Sequence, residues 1–304
     1  MANTLGTTNG LVIAQRALAT LLRDFPVLSD ITTDFSALSA RYNQTVSTSI
    51  VSASTASQFN PVVGYTSTDR TQVDVQVQLN RWAHHTYSVT DAERTTSQVD
   101  LISRFADTAA HALGQAVMDD LFALFTPANF TNQKIVSYDS FSRKSVIDIA
   151  TTMNNLFIPK LGRFMIVDAN MYGSLSNDLT VVQNFSNAGA NTIQTGKLTG
   201  IHGFNDIVDY TAIGGSANTP NTPQPNLVGI AGVKESVLFC TRLPDAPTTV
   251  IPGVISTVTE PHSGLSVQLR EWYDMTLAKE SRTMTLMYGF AKGNAATLVR
   301  MLKK

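Results

Sequence analysis

The side chains in this chain with the strongest claim to metal or nucleophilic chemistry are two adjacent histidines, His84 and His85, and a single cysteine, Cys240. Chelation by the histidine pair would need both rings on one side of the backbone. They lie in the run Trp82–Val89, whose composition predicts a strand, so the two rings point to opposite faces and cannot share one ion. His111 has Asp107 four residues before it and Gln115 four residues after, which offers one carboxylate on a helix face. An Asp–His pair at that spacing is a surface pair rather than a metal site. Cys240 follows Leu238 and Phe239 and has no basic residue before Arg242, the surroundings of a buried, inert thiol. One cysteine cannot close an intrachain disulfide.

Phosphate and acyl chemistry find no cradle either. Gly196-Lys197 is followed by leucine, and no glycine stands five residues before Gly196, so there is no P-loop. Gly200-Ile-His-Gly203 and Gly229-Ile-Ala-Gly232 lack the third glycine and helix opening of a dinucleotide fingerprint, and no G-x-S-x-G elbow occurs. An acid–base pair would have to be drawn from Asp119, Asp120, Glu235 and Glu260, which the sequence does not bring together. Aromatic residues are dispersed, with no basic run among them to build a nucleic-acid platform. These residues point to no enzyme, and no catalytic, cofactor-binding or metal-ligating residue is assigned.

The elements that would have to position such groups are more informative than the groups. From Thr95 to Phe125 the chain has no proline and one interior glycine, Gly114. Leu101, Phe105, Ala109, Leu113, Val117 and Leu121 recur every fourth residue, which predicts one long helix roughly 40 Å in length, capped by Thr96 or Ser97. Before it the period is two: Val46, Thr48 and Ile50, then Val73, Val75, Val77 and Leu79, alternate with polar residues. Pro61 and Gly64 turn the chain between these runs, so they form a long polar hairpin that cannot bury both faces within its own subunit. A short helix over Leu11–Leu22 precedes it. Residues 27–45 carry scattered apolar anchors suited to lying across a surface, the chain's own or a neighbour's.

After the long helix, the pattern predicts a helix over Ser142–Phe157, a strand over Arg163–Asp168, and a short helix over Met171–Asp178. Residues 214–226 are proline-rich loop material, Leu227–Ala231 and Glu235–Phe239 are strands, and Leu265–Trp272, Thr276–Ala278, Thr283–Phe290 and Thr297–Leu302 close the chain as strands. The class is α+β with a mostly antiparallel sheet. Only 15% of the 304 residues are charged, against about 25% in typical soluble proteins. A polar, weakly charged surface suits extensive protein–protein contact. The net charge of −1 argues against a protein built to grip phosphate backbones. No run of eighteen apolar residues exists, and the first residues lack a signal-peptide pattern, so a cytoplasmic chain is expected.

In this order the chain resembles the major capsid proteins of tailed bacteriophages, with the Hong Kong 97 type of fold. Four stretches carry the resemblance: the N-terminal helix and arm leading into the polar hairpin; VDVQVQLNRWAHHTYSVTDAERTTSQVD (Val73–Asp100); IPKLGRFMIVDANMYGSLSND (Ile158–Asp178) with TGKLTGIHGFNDIVDY (Thr195–Tyr210); and the ending SGLSVQLREWYDM with KESRTMTLMYGFAKGNAATLVRML. The resemblance implies an N-terminal arm (1–45), an extended hairpin loop reaching over the next subunit (46–90), a spine helix (91–126), an axial domain (127–254) and peripheral-domain strands (255–304).

The function so implied is a coat protein that self-assembles, as pentamers and hexamers, into the icosahedral shell around a double-stranded DNA genome. The expected partners are other copies, a separate scaffolding protein, a portal, a decoration protein, and DNA packaged without sequence specificity, with no membrane and no cofactor. The expected location is the virion, assembled in the host cytoplasm. The scaffold is expected to be separate because only about ten residues precede the first helix, whereas some relatives begin with a long cleavable scaffolding region. Some relatives also crosslink through a lysine and an asparagine; no lysine precedes the spine helix here, so that chemistry is not expected. Candidate subunit contacts are Phe59 and Val62, Asp69 and Arg70 near the hairpin turn, and Arg81, Glu93 and Arg94 at its base. The alternatives are an encapsulin-like compartment, a tail or baseplate protein, and, from another class, a soluble α+β hydrolase.

Overall fold

A computed structural model describes residues 8–25, 27–51, 58, 59, 61, 62, 64, 65, 72–96, 101–178, 198–210, 213, 226–245, 253–259 and 265–304. Helix α1 (Thr8–Asp24) buries Ala14, Ala17, Leu18 and Leu21, spaced three and four apart as one helical face demands. The short α2 (Val27–Ile31) buries Val27, Leu28 and Ile31, and β1 (Thr32–Ala40) follows. The segment after the first helix therefore lies on the chain's own core. Strands β2 (Thr45–Val51) and β3 (Gln72–Gln78) form the expected hairpin as a two-stranded sheet, with Val46 opposite Val77 and Thr48 opposite Val75. β4 (Arg81–Thr90) alternates between exposed and more buried residues along most of its length, so His84 and His85 do face opposite sides.

Two helices stand where one long helix is expected, α3 (Asp91–Thr96) and α4 (Leu101–Ala123), and residues 97–100, including the proposed cap Ser97, lie outside the described residues. Thr90 and Glu93 cap α3 reciprocally. The Glu93 amide donates to Thr90 Oγ1 at 3.2 Å, and the Thr90 amide and hydroxyl each donate to Glu93 Oε2 at 2.9 Å. At 23 residues, α4 is roughly 35 Å long. Ala106, Ala109, Ala110, Leu113, Val117, Met118, Leu121 and Phe122 are buried along it. Phe105, expected in that stripe, is 38% exposed and meets Tyr87 edge-on at 5.9 Å. Gly114 is where Phe25 crosses the helix, for an added Cβ would sit 2.3 Å from its ring.

The middle of the chain comprises β5 (Gln133–Val136), α5 (Arg143–Asn155), β6 (Arg163–Val167), α6 (Ala169–Ser176), β7 (Leu198–Ile201), β8 (Phe204–Asp209) and β9 (Leu227–Val233). Of the apolar face that the sequence predicts for α5, Val146, Ile149 and Met153 are buried, with Ala150 beside them, but Leu156 falls past its end and is 41% exposed. β10 (Val237–Pro244), β11 (Val254–Thr259), β12 (Ser266–Asp274), β13 (Lys279–Lys292) and β14 (Leu298–Lys303) complete the chain. Residues 276–278, expected as a strand, are the turn joining β12 to β13. Asp274 Oδ1 accepts from the amides of Thr276 and Leu277 at 2.9 and 3.2 Å, and Ala278 takes a φ of 45°.

Two six-stranded sheets result. In the first, the 14 residues of β13 pair with β4 along one edge and with β12 and then β10 along the other; β11 extends β12, and β1 joins β10 in parallel. The second runs β5-β14-β9-β6-β8-β7. Its central strands β6 and β9 are buried throughout, which explains the apolar runs Phe164–Val167 and Leu227–Val233. Phe164, Ile166 and Ile230 belong to the core around α4, and Met165, Val167 and Ala231 to the core under α5 and α6. The sheets do not divide at the boundary expected between residues 254 and 255. β10, from the 127–254 segment, lies in the first sheet, while β14 inserts between β5 and β9 in the second. Residues Leu298–Met301 are all buried, with Leu298 in the core around α4 and Val299 and Met301 in the core under α5 and α6, so the strand has to lie inside a covered sheet.

Candidate assembly surfaces

The residues considered for chemistry stay apart. Cys240 is 1% exposed, packed with Val77, Leu79, Leu238 and Met287. Asp107 accepts from Arg16 Nε and Nη2 at 3.1 and 2.7 Å and from the Thr20 hydroxyl at 3.2 Å, which ties α4 to α1. Asp120 accepts the Tyr288 hydroxyl at 2.6 Å and faces Arg81 at 3.4 Å. Burial, with the Asp120 carboxylate beside it, raises the pKa of Asp119. Glu235 lies in the tight turn before β10, and Glu260 is outside the described residues. Among the described residues no three of His, Cys, Asp or Glu are grouped to hold a metal ion, and no described helix is long and apolar enough to cross a membrane.

Gly200-Ile-His-Gly203 is the β7–β8 turn, with Gly200, His202 and Gly203 all at positive φ. Arg143 Nε donates to His202 Nε2 at 2.9 Å, and burial together with that guanidinium lowers the pKa of His202. The folded state therefore prefers neutral His202. Its contribution is present above the ordinary histidine range and is lost as pH falls through the lowered folded value. His202→Asn, which tolerates the left-handed backbone, is expected to flatten this part of the melting temperature profile between pH 8 and pH 5.

The surfaces built for contact lie around the first sheet. One face carries Met284, Leu286 and Tyr288 of β13 against the α4 core. The opposite face is divided. At the β10 end the hairpin base seats on it, with Val77 and Leu79 3% and 0% exposed against Leu238, Cys240 and Met287. The remainder is open, a shallow concavity of about 480 Å³ lined by Trp82, His84, Arg270, Trp272, Thr283 and Thr285. Arg270 Nε is held by Gln268 Oε1 at 2.8 Å, and the hydroxyls of Thr86 and Thr283 lie 2.7 Å apart. The two tryptophans are 44% and 38% exposed.

The expected contact residues fall into three groups. Phe59 and Val62, between β2 and β3, are 56% and 92% exposed, and Phe59 packs at 4.8 Å on Tyr65, which is itself 92% exposed. Asp69 and Arg70 lie outside the described residues. Arg81, Glu93 and Arg94 have partners within their own chain: Arg81 with Asp120, Glu93 with Thr90, and Arg94 with Glu280 at 3.4 Å. The Thr90 hydrogen bonds hold the Glu93 carboxyl below its usual pKa. Sequence reading missed Tyr65, Trp82 and Trp272. The tryptophans converge only through the ladder, in which Trp82 pairs with Met287 and Trp272 with Ser281 of the same strand.

No family model matches the sequence, and no curated protein matches it either. The fold, two sheets around a long helix with an extended hairpin, is that of phage capsid proteins. It is similar to the capsid structure of the Cyanophage P-SCSP1u, with a TM-score of 0.57 and 12% identity over 90% of this chain and 89% of that one. It is likewise similar to the mature capsid of bacteriophage PhiM1, with a TM-score of 0.56 and 9% identity over 91% and 86%. The virus-like particle from Pyrococcus furiosus gives 0.52 and 12% over 95% and 97%. At these identities the likeness is one of fold.

Proposed function

We propose that this chain is the major capsid protein of a tailed phage and assembles into the closed icosahedral shell around its double-stranded DNA. The observation that carries this reading is likeness in fold along nearly the whole of both chains, 90% here and 89% of the cyanophage capsid protein. The weakly charged surface and the hairpin with its uncovered apolar residues support it. In this reading the chain is a structural protein without catalysis. The first sheet with α4 serves as the peripheral domain and the second sheet with α5 and α6 as the axial domain around five- and six-fold axes. The hairpin lies over a neighbour, with Phe59 and Val62, and Asp69 and Arg70 beyond them, as its contacts.

Head-to-tail contacts of this kind close into rings and rings into a cage. A scaffolding protein, a portal and a decoration protein complete the assembly in the host cytoplasm, and the shell ends in the virion. The likeness to the Pyrococcus furiosus particle supports a second reading, a compartment around protein cargo. Sedimentation of the protein expressed with its neighbouring genes tests both. Fast-sedimenting particles that protect DNA from nuclease support the phage reading; particles holding protein alone support the second; a chain that stays a monomer removes both.

A further inference from the structure

The end of α5 carries a residue that its own backbone disfavours. The helix closes in a Schellman motif: the Ile158 amide donates to the Met153 carbonyl and the Phe157 amide to the Asn154 carbonyl, each at 3.0 Å. Phe157 holds the left-handed position of that motif, at a φ of 56°, where glycine is the usual residue and a bulky side chain is strained. Its side chain is almost wholly in solvent, the residue being 94% exposed, so packing within the subunit does not offset the strain. The turn that presents it is nevertheless firmly built. The buried Arg163 guanidinium donates through Nε to the Pro159 carbonyl at 2.8 Å, and through Nη2 to the Ile158 carbonyl and Asn154 Oδ1 at 2.5 and 3.0 Å. Leu161 in the same turn is 88% exposed, Lys160 precedes it, and no carboxylate occurs between Ile149 and Arg163.

The turn joining β12 to β13 is also apolar and uncovered, with the opposite charge around it. Met275 and Leu277 are 89% and 58% exposed there. The start of α3 lies against this turn: the Asp91 amide donates to the Ala278 carbonyl at 3.0 Å, and Asp91 Oδ2 accepts the Tyr273 hydroxyl at 2.6 Å. Asp91, Glu93 and Asp274 therefore gather at this end of the sheet against Lys279, while Arg94 is engaged by Glu280. We infer that the Phe157–Leu161 turn of one copy docks on the β12–β13 turn of a second copy, with Phe157 against Met275 and Lys160 facing the carboxylates. The inference rests on the shell-forming reading and adds to it a contact that does not involve the hairpin. A methionine side chain adapts to an aromatic ring and gains from sulfur–ring contact. Opposite charge selects this seat over the Trp82–Trp272 concavity, which is lined by Arg270 and His84 and by no carboxylate. Because the two turns lie on different parts of one chain, the contact is head-to-tail, and each copy both gives and receives it.

Phe157→Gly separates this role from a structural one. The unassembled variant should melt at a higher temperature than wild type, because strain is relieved and no packing is lost, while its yield of particles falls. A lower melting temperature would show that the ring packs within its own subunit, and overturns the inference. Wild-type protein supplies a second measurement that needs no variant. Peroxide should oxidise Met275 and acetic anhydride should acetylate Lys160 in the unassembled subunit, and both modifications should be lost in particles, as read by peptide mass. A third measurement identifies the seat. Particles of Leu161→Cys, Met275→Cys treated with a short bis-maleimide should give inter-chain adducts on a denaturing gel that neither single variant gives; Cys240 is buried and stays out of the reaction. Wild-type particles in which Lys160 and Met275 remain reactive overturn the inference while leaving the shell reading intact. So do adducts from Met275→Cys alone, which would place like turns together. Absence of any wild-type particle overturns the shell reading and this inference with it.

Discussion

Replacing Gly289 with alanine is expected to unseat the hairpin and expose the chain's single thiol. Gly289 lies in β13 opposite Cys240, directly under the hairpin base. A Cβ there would stand 2.0 Å from the Gln78 carbonyl oxygen, 2.8 Å from its carbon and 3.3 Å from Leu79 Cα. Those are backbone atoms, with no rotamer to move aside, so β3 has to lift from the sheet. Overpacking of this kind costs about 1–3 kcal/mol. Lifting the base also returns Val77 and Leu79 to water, at about 1.5–3 kcal/mol for each side chain fully exposed. The added methyl stands on the hairpin side of the sheet, away from the face that packs on the α4 core, so the fold is expected to survive while the hairpin loses its direction. A thiol-reactive dye should leave native wild-type protein unlabelled and label the variant before unfolding, and particle yield should fall with it. A protected Cys240 in Gly289→Ala, with normal particles, would contradict the assignment of the hairpin base as the element that aims the arm.

The second large effect is expected at Arg282, which is 8% exposed in the middle of the first sheet. In the ladder it stands between Tyr87 of β4 and Glu271 of β12. Its Nε is 2.6 Å from Glu271 Oε1 and its Nη2 2.5 Å from Glu280 Oε1, while Glu280 also faces Arg94 of α3. Burial pushes the neighbouring Tyr87 phenol up to about 12, against the opposing pull of Arg282. Arg282→Ala leaves the largely buried Glu271 carboxylate without its cation and Glu280 with Arg94 alone. Breaking a buried pair from one side costs about 3–5 kcal/mol. Denaturant unfolding should show a loss of that size, and Arg282→Met with Glu271→Gln should recover much of it because the uncompensated charge is gone. A loss below about 1 kcal/mol, the range of exposed ion pairs, would mean that water reaches the cluster.

Local pattern made part of this architecture legible. The alternation from Thr45 to Leu79 predicts the two strands of the hairpin, though not their register, and the fourfold recurrence of apolar residues predicts α4. The Thr90–Glu93 capping box is also local, but it lies ahead of the apolar stripe and so outside the periodicity that located the helix. Thr276–Ala278 reads as strand by composition, whereas the Asp274 side chain captures two amides and turns the chain. The placement of β14 could not be read, because its partners Gly232 and Gln133 lie far back in the chain and either sheet could take a buried apolar strand. The Trp82–Trp272 surface is hidden for the same reason: it exists only once β4 and β12 flank β13. Arg81 and Arg94 look like free surface charges in sequence, and their partners Asp120 and Glu280 are 39 and 186 positions away.

The central claim is that many copies of this chain form a closed shell, and electron microscopy of the protein expressed alone and with its neighbouring genes tests it most directly. The account predicts closed shells, or curved sheets and tubes in the absence of a scaffold, whose averaged units have five- and six-fold symmetry. A stable, well-folded monomer under both conditions would contradict it.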